Sequence, residues 1–162
     1  MSRPSRAGER REQFLPLLAE EFARLGYRRA TTAALARRCR VRENVLYRLW
    51  PDKKQMFLAA IRFVHERAER IWAEQSAGGT AETAAERLLA YESRHLGELG
   101  LYRILFAGLS ETDDPAIRAQ LKDTYRKFQR SMKKRIDDHR QARGSRRAPD
   151  VELAAWAVVG LG

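Results

Sequence analysis

Apolar residues recur three and four positions apart along most of this chain, which is the spacing of one face of an α-helix. A clear stripe follows Asp52, and we predict a long helix there that reaches about Gln75. Its members are Phe57, Ile61, Val64, Ala68 and Ile71. Similar stripes occupy the segments before Gly26 and after Pro115. The pattern therefore predicts an all-α protein.

A polar segment, residues 1–11, precedes the first stripe and contains four arginines. We interpret it as a mobile basic arm, either a disordered end or an arm that places arginines on phosphates or in the minor groove. Pro16 is tolerated only in a first helical turn, so the first helix is predicted to begin near Glu12 or Gln13. Gly26 is predicted to end it.

Capping signals mark the later helices. Asp52 followed by Gln55 resembles a capping box, in which side chains satisfy free N–H groups of the first turn. Asp114 before Pro115 is an acidic cap followed by proline at the first helical position. Asp150 is placed to cap the last apolar stretch of the chain.

Two further helices are predicted in the second half of the chain, at residues 81–96 and around residues 101–109. The second is almost uncharged apart from Arg103, so we expect it to be buried inside a bundle. The helix after Pro115 has a basic outer face, which is more often a solvated face than a second DNA site. That face comprises Lys122, Arg126, Lys127, Arg130, Lys133 and Lys134.

Between Ala30 and Lys53 the pattern predicts two short helices joined by a tight turn, a helix-turn-helix. Thr32 is placed to cap the first of them, because its hydroxyl oxygen can accept a free backbone N–H. The positions predicted to face inward are Leu35, Ala36, Val41, Val45 and Leu46. The positions predicted to face outward are Arg42, Glu43, Asn44, Tyr47 and Arg48.

The helix-turn-helix and its flanks share a distinctive order and spacing of residues: Gly26-Tyr27, Thr31-Thr32, Leu35-Ala36, Val41, Leu46-Tyr47 and Asp52-Lys53. With these residues the chain resembles the DNA-binding domain of tetracycline-repressor-like (TetR family) transcriptional regulators. The resemblance implies a DNA-binding domain at residues 1–52 and a helical ligand-binding and dimerisation domain at residues 53–162. Family members pair through two C-terminal helices. Only one is visible here, so we expect a truncated chain or a different dimer.

The resemblance also implies DNA contacts. Thr32 and Tyr47 match positions that touch backbone phosphate, and Lys53 adds a charge at a helix N-terminus that favours anions. Four residues lie at or beside the base-reading face: Arg42, Glu43, Asn44 and Arg48. Asn can pair with adenine, Arg with guanine, and Glu can accept from cytosine. Glu43 could equally hold a neighbouring arginine in place.

Three residues depart from the family's pattern. Arg42 stands where a small capping Ser or Thr is usual, and Asn44 where glycine is common. Arg40 replaces a glycine that is usual in the turn, so we expect strain there, because non-glycine residues are disfavoured at positive φ. These departures concern the base contacts, and so the operator, rather than the fold.

Aromatic residues with a few polar tips in the second domain suit a mostly apolar pocket for a small organic molecule. They are Trp72, Tyr91, His95, Tyr102, Phe106, Tyr125 and Phe128. For any single one of them, ordinary core packing is the favoured interpretation. The existence of a pocket is implied mainly by the resemblance.

Charge supports a polyanionic partner, because 32 Lys and Arg against 21 Asp and Glu give a net charge of +11. Residues 1–54 carry 14 basic and 6 acidic side chains, and residues 122–147 carry 11 and 3.

The single cysteine, Cys39, excludes an internal disulfide and is expected to pack in the turn. With no apolar run near a membrane span and no signal peptide, we expect a cytoplasmic protein that does not bind membranes.

Catalytic chemistry is not indicated. The three histidines lie on three different helices, and His65-Glu66 lacks the second histidine that a zinc-binding helix needs. The sequence has no Gly-rich phosphate loop, no nucleophile elbow and no acidic metal cluster. We therefore expect no enzyme activity, no cofactor and no metal.

These inferences predict a ligand-released repressor. As a homodimer, it would place two recognition helices in successive major grooves about 34 Å apart, on a near-palindromic duplex. Effector binding would shift the long helix, residues 53–75, and lower DNA affinity. The alternative is an interaction protein, whose helix-turn-helix no longer reads DNA specifically and whose basic face binds acidic partners. A small enzyme is a third, less favoured interpretation.

Overall fold

The computed structural model describes residues 5–77, 87, 90, 91, 94, 102–144 and 150–161. Over these ranges it contains seven α-helices and no strand, which confirms the all-α prediction. The helices are α1 (Arg6–Arg29), α2 (Thr32–Arg38), α3 (Glu43–Leu49), α4 (Lys53–Ser76), α5 (Arg103–Leu109), α6 (Pro115–Arg143) and α7 (Val151–Leu161).

Helix α1 begins at Arg6, well before the predicted start near Glu12 or Gln13. The Ser5 hydroxyl caps it by accepting the backbone N–H of Gly8 at 3.1 Å. The prediction of a mobile arm is therefore wrong for residues 6–11, which are helical. Residues 1–4 lie outside the described part of the chain. Local capping supplies the physical reason, since it satisfies a first-turn donor ahead of Pro16.

Pro16 lies inside α1, where the sequence argument did not allow it. A proline in a helix interior removes one hydrogen bond and costs about 3 kcal/mol. The residues that follow offset this cost, because Leu18, Ala19 and Phe22 are completely buried. Full burial of a large apolar side chain contributes roughly 1.5–3 kcal/mol.

Gly26 ends the regular part of α1, as predicted, and a short helical segment follows it. The Gly26 φ of 75° and ψ of 167° lie outside the helical region, and the following segment continues to Arg29. The N–H of Ala30 then donates to the Gly26 carbonyl at 3.2 Å. Glycine is suited to this position because it has no Cβ to clash at positive φ.

Helix α2 is capped by Thr31, whose Oγ1 accepts the N–H of Ala34 at 3.2 Å. The prediction that Thr32 is the cap is therefore wrong by one residue. Thr31 has the extended backbone that a cap requires, with φ −74° and ψ 153°. Thr32 is the first helical residue, and its hydroxyl bonds elsewhere.

The turn between α2 and α3 contains Arg40 at a φ of 56°, which confirms the expected positive φ. The N–H of Arg40 donates to the Arg37 carbonyl at 3.0 Å, and that of Val41 to the Ala36 carbonyl at 3.0 Å. Cys39 is buried beside them, as expected. Burial raises the pKa of its thiol to about 11.

The predicted caps of the later helices are confirmed. Asp52 Oδ1 accepts the N–H of Gln55 at 2.7 Å, and the N–H of Met56 donates to the Asp52 carbonyl. Asp114 Oδ1 accepts the N–H groups of the first turn of α6 at 2.9 and 3.2 Å. Asp150 Oδ1 accepts the N–H of Glu152 at 2.8 Å. Each carboxylate satisfies donors that have no partner inside the helix.

Helix α5 is less buried than predicted. Ile104 and Leu105 are buried, but Phe106 is 54% exposed and Leu109 is 46% exposed. The reason is that this seven-residue helix packs one face on α1 and leaves the other in solvent. Most of the helix predicted at residues 81–96 lies outside the described residues.

The chain divides into two compact units. Unit 1 comprises Met1–Glu66 and Gly97–Leu121, and unit 2 comprises Arg67–Leu96 and Lys122–Gly162. Aromatic packing centres unit 1 on Phe22 and Phe57, with ring centroids 4.9 Å apart. Among the described helices, none combines the length and apolarity needed to cross a membrane.

Candidate nucleic-acid interface

Helix α3 presents one polar face to solvent and one apolar face to the core of unit 1. Leu46 is fully buried, Leu49 is 6% exposed, and Trp50, just after the helix, is 5% exposed. The predicted outward residues are all exposed: Arg42, Glu43, Asn44, Tyr47 and Arg48. The helical period places them on a common surface because the buried residues occupy the opposite side.

Tyr47 and Thr32 meet at the edge of this surface. The Tyr47 hydroxyl lies 3.1 Å from Thr32 Oγ1, and either hydroxyl can donate. This bond joins the first turn of α2 to the exposed face of α3. Because Thr31 supplies the cap, the Thr32 side chain is available for this contact. The two residues expected to touch phosphate are thus neighbours in the fold.

Arg42 occupies the N-cap position of α3, and its side chain makes no capping hydrogen bond. Its backbone carbonyl accepts the N–H of Val45 at 3.0 Å. A Ser or Thr in this position would point its oxygen back at the first turn. The guanidinium instead extends into solvent, where it adds positive charge to the exposed surface.

Lys53 is engaged within unit 1. Its Nζ donates to the Tyr27 carbonyl at 3.0 Å and lies 4.5 Å from the centroid of the Tyr27 ring. These contacts tie the first residue of α4 to the end of α1. An ammonium group has three donors, so the bond to Tyr27 leaves capacity for an anion.

Sequence reasoning missed the role of Arg11, which it placed in a mobile arm. Arg11 Nε and Nη2 both donate to the Leu49 carbonyl, at 3.0 and 2.5 Å. Leu49 is the last residue of α3. The available signal was its position three and four residues before Phe14 and Leu15, on the same helical face as the apolar stripe.

Ion pairs join α1 and α4 to the segment before α6 within unit 1. Arg28 pairs with Glu111 at 2.9 Å, and Lys54 Nζ with Asp114 Oδ2 at 3.1 Å. The hydrogen bond from Lys54 lowers the pKa of Asp114, and the same bond raises the pKa of Lys54. Asp114 therefore caps α6 with one oxygen and holds α4 with the other.

The candidate ligand residues are only partly brought together. In unit 2, the ring centroids of Trp72 and Phe128 lie 5.6 Å apart, and the Arg135 guanidinium lies 5.2 Å from the Trp72 ring. Tyr125 and Tyr91 are half-buried in the same unit, and burial raises the pKa of Tyr125.

The remaining candidates are placed differently. Tyr102 and Phe106 belong to unit 1, where Phe106 is largely exposed. His95 lies outside the described residues. Across the described ranges, no group of three or more His, Cys, Asp or Glu side chains could hold a metal ion.

Comparison with known proteins identifies the family of this helix-turn-helix. Residues 18–60 match the bacterial regulatory proteins of the tetR family. The helix-turn-helix of this chain is therefore of the tetR type, a DNA-binding domain. A helical domain follows it, as in solved structures of the same fold.

Sequence similarity to known proteins extends beyond this domain, over most of the chain. The nucleoid occlusion factor SlmA of Vibrio cholerae serotype O1 is 29% identical over 157 residues, which are 93% of this chain and 79% of that protein. SlmA of Aliivibrio fischeri strain MJ11 is 29% identical over 161 residues, 96% of this chain and 81% of that protein.

Two solved structures share the fold. A tetR-family transcriptional regulator from Cytophaga hutchinsonii has a TM-score of 0.78 and 20% identity, covering 99% of this chain and 82% of that one. A protein from Saccharomonospora viridis, assigned as a transcriptional regulator and solved with choline, has a TM-score of 0.71 and 22% identity. It covers 94% of this chain and 81% of that one.

Proposed function

We propose that this protein is a sequence-specific repressor that binds its operator as a homodimer and releases it when a small organic molecule binds. The observation that carries the proposal is the division of α3 into a buried apolar face and an exposed polar one. A helix with base-pairing side chains on its exposed face suits the major groove of DNA.

Individual roles follow from chemistry and position. Asn44 would pair with adenine, and Arg42 and Arg48 with guanine. Glu43 would accept from cytosine or hold one of the arginines in place. Thr32 and Tyr47, whose hydroxyls already meet, would contact one phosphate together, and Lys53 would add charge beside them.

Dimerisation is proposed to use the C-terminal helix α7, in a ligand-binding and dimerisation domain that covers residues 53–162. Leu153 is 67% exposed and Trp156 is 44% exposed on this helix. Exposed large apolar residues on one helix support an interface with a second copy. The pair would place two DNA-binding domains, residues 1–52, on a near-palindromic operator.

An effector site is proposed in unit 2, around Trp72, Tyr125 and Phe128. Two tilted aromatic rings beside a guanidinium offer an apolar lining with a polar tip. The choline-bound protein from Saccharomonospora viridis shows that one protein of this fold is found with a small molecule. Helix α4 contains both Lys53 and Trp72, so one continuous helix links the two proposed sites.

Selection of random duplex DNA on the purified protein at physiological salt tests this function. We expect a recovered palindrome whose half-sites lie one helical turn apart, about 34 Å. Weak binding without sequence preference would contradict the repressor and support the interaction-protein alternative. Adding small organic anions, with benzoate as the first probe because the Arg135 guanidinium favours negative charge, to the protein–operator complex tests the effector site by release of DNA. Choline serves as the cationic comparison.

A second candidate function is nucleoid occlusion, which is favoured by the relatives of that name at 29% identity. In that case the DNA-bound protein would act on cell division rather than on transcription. Deleting its gene separates the two. Loss of a repressor changes transcripts next to its binding sites, whereas loss of an occlusion factor allows septa to form over the nucleoid.

A further inference from the structure

Arg11 bridges two parts of the DNA-binding domain that lie 38 residues apart in the chain. It lies near the start of α1, and both Nε and Nη2 donate to the carbonyl of Leu49, at 3.0 and 2.5 Å. Within the described part of α1, no other side chain forms a hydrogen bond to α3.

The accepting carbonyl is the last one of α3. A helix leaves its final carbonyls without intrahelical partners, and α3 ends abruptly because Trp50 turns to an extended backbone at φ −134° and ψ 133°. A guanidinium is well matched to this end, since it brings a fixed pair of donors and a positive charge to a helix C-terminus.

We propose that Arg11 is a positioning residue for DNA reading: it holds the C-terminal end of α3 and does not act as a phosphate contact. Helices as short as α3, with seven residues, are not stable alone and take their orientation from tertiary contacts. Three of the four proposed base-reading residues lie on this helix and the fourth, Arg42, is its N-cap residue, so a tilt of the helix axis displaces them together. The inference rests on the proposed sequence-specific binding.

The test compares Arg11→Met with Arg10→Met. Both variants remove one positive charge from an exposed residue in the same turn of α1, but only Arg11 hydrogen-bonds to α3. Affinities are measured for the selected duplex and for a scrambled duplex, by fluorescence anisotropy over a series of salt concentrations.

For Arg11→Met we expect about a ten-fold loss of affinity for the selected duplex relative to Arg10→Met, the scale of losing a hydrogen bond to a charged group. Affinity for the scrambled duplex should match that of Arg10→Met, so the specificity ratio falls. The slope of log K against log salt should be the same for both variants.

Two results would overturn the proposal. Equal affinities of the two variants for the selected duplex would show that the Leu49 bond does not position α3. A slope of log K against log salt that is less steep for Arg11→Met than for Arg10→Met, by about 0.9 per chain, would show that Arg11 contacts a phosphate instead.

Folding and function are separated by a second variant and a DNA-free measurement. Arg11→Lys keeps the charge but lacks the guanidinium fork, and should move the ¹³C shift of the Leu49 carbonyl without changing the circular dichroism. An unmoved shift would contradict the bond. If the selection recovers no sequence, the proposed function fails, while the carbonyl shift still reports whether Arg11 holds α3.

Discussion

At the scale of single residues, Tyr47 illustrates how an exposed side chain can be held ready for a partner. The residue is 47% exposed, yet its hydroxyl is held by a hydrogen bond to Thr32 Oγ1 at 3.1 Å. If Tyr47 contacts a phosphate as proposed, its ordered hydroxyl would lose little freedom on binding, which would lower the entropic cost of association.

Replacing Tyr47 by Ala should therefore weaken operator binding by about ten-fold, the scale of one hydrogen bond plus lost ring contacts. The thermal unfolding midpoint should hardly move, because nearly half of the side chain is already in water. Tyr47→Phe is the matched control, since it keeps the ring and removes only the hydroxyl. Unchanged operator affinity of Tyr47→Ala in anisotropy titrations would disprove the assignment of this face.

Arg40 carries backbone strain, because its φ of 56° puts a Cβ where glycine is usual. A left-handed backbone costs an L-residue roughly 1–2 kcal/mol, so Arg40→Gly should raise the free energy of unfolding by about 1 kcal/mol. Arg40→Ala is the control, since it removes the same side chain and keeps the strain. Equal urea midpoints for the two variants would argue against strain at this turn.

At the scale of elements, Asp114 connects two helices of unit 1. It caps α6 and pairs with Lys54 of α4, and the Lys54 hydrogen bond lowers its pKa. A group with a depressed folded-state pKa stabilises the fold above its unfolded pKa and loses that contribution as the pH falls through the folded value.

Asp114→Asn should accordingly lower the unfolding midpoint at neutral pH, because asparagine still caps a helix but cannot pair with Lys54. The difference from wild type should shrink as the pH falls below 3.8 and vanish once the native carboxyl is protonated. Asp113→Asn is the matched control, an exposed neighbour that caps nothing in the described structure. A pH-independent difference between wild type and Asp114→Asn would contradict the ion-pair argument.

Helix-capping side chains and apolar residues at helical spacing made several elements predictable. Asp52, Asp114 and Asp150 each begin a helix where the sequence places them, because capping depends on atoms only two or three residues away. Ser5 caps α1 in the same way, at a position that the argument from Pro16 does not predict. That argument failed because tertiary burial of residues after the proline compensates its local cost.

At the scale of the whole molecule, the exposed apolar residues of α7 carry the proposed dimer. Replacing Leu153 and Trp156 together by Arg should shift sedimentation from dimer to monomer, because two added charges on each protomer would face two on its partner. Operator affinity should fall as the dimer dissociates, since a single helix-turn-helix contacts only one half-site. Glu152→Arg is the matched surface control, and the same sedimentation for all three proteins would refute this interface.

The sequence by itself determined the helical character of the chain, the two faces of α3, the three aspartate caps and the strained turn. Each of these depends on residues within a turn or two of one another, so spacing alone specifies them. Only the tertiary structure decided that Arg11 bonds Leu49, that Lys53 bonds Tyr27, and that Phe106 stays exposed. Those outcomes depend on which surfaces distant segments bury against each other, and no local pattern encodes that choice.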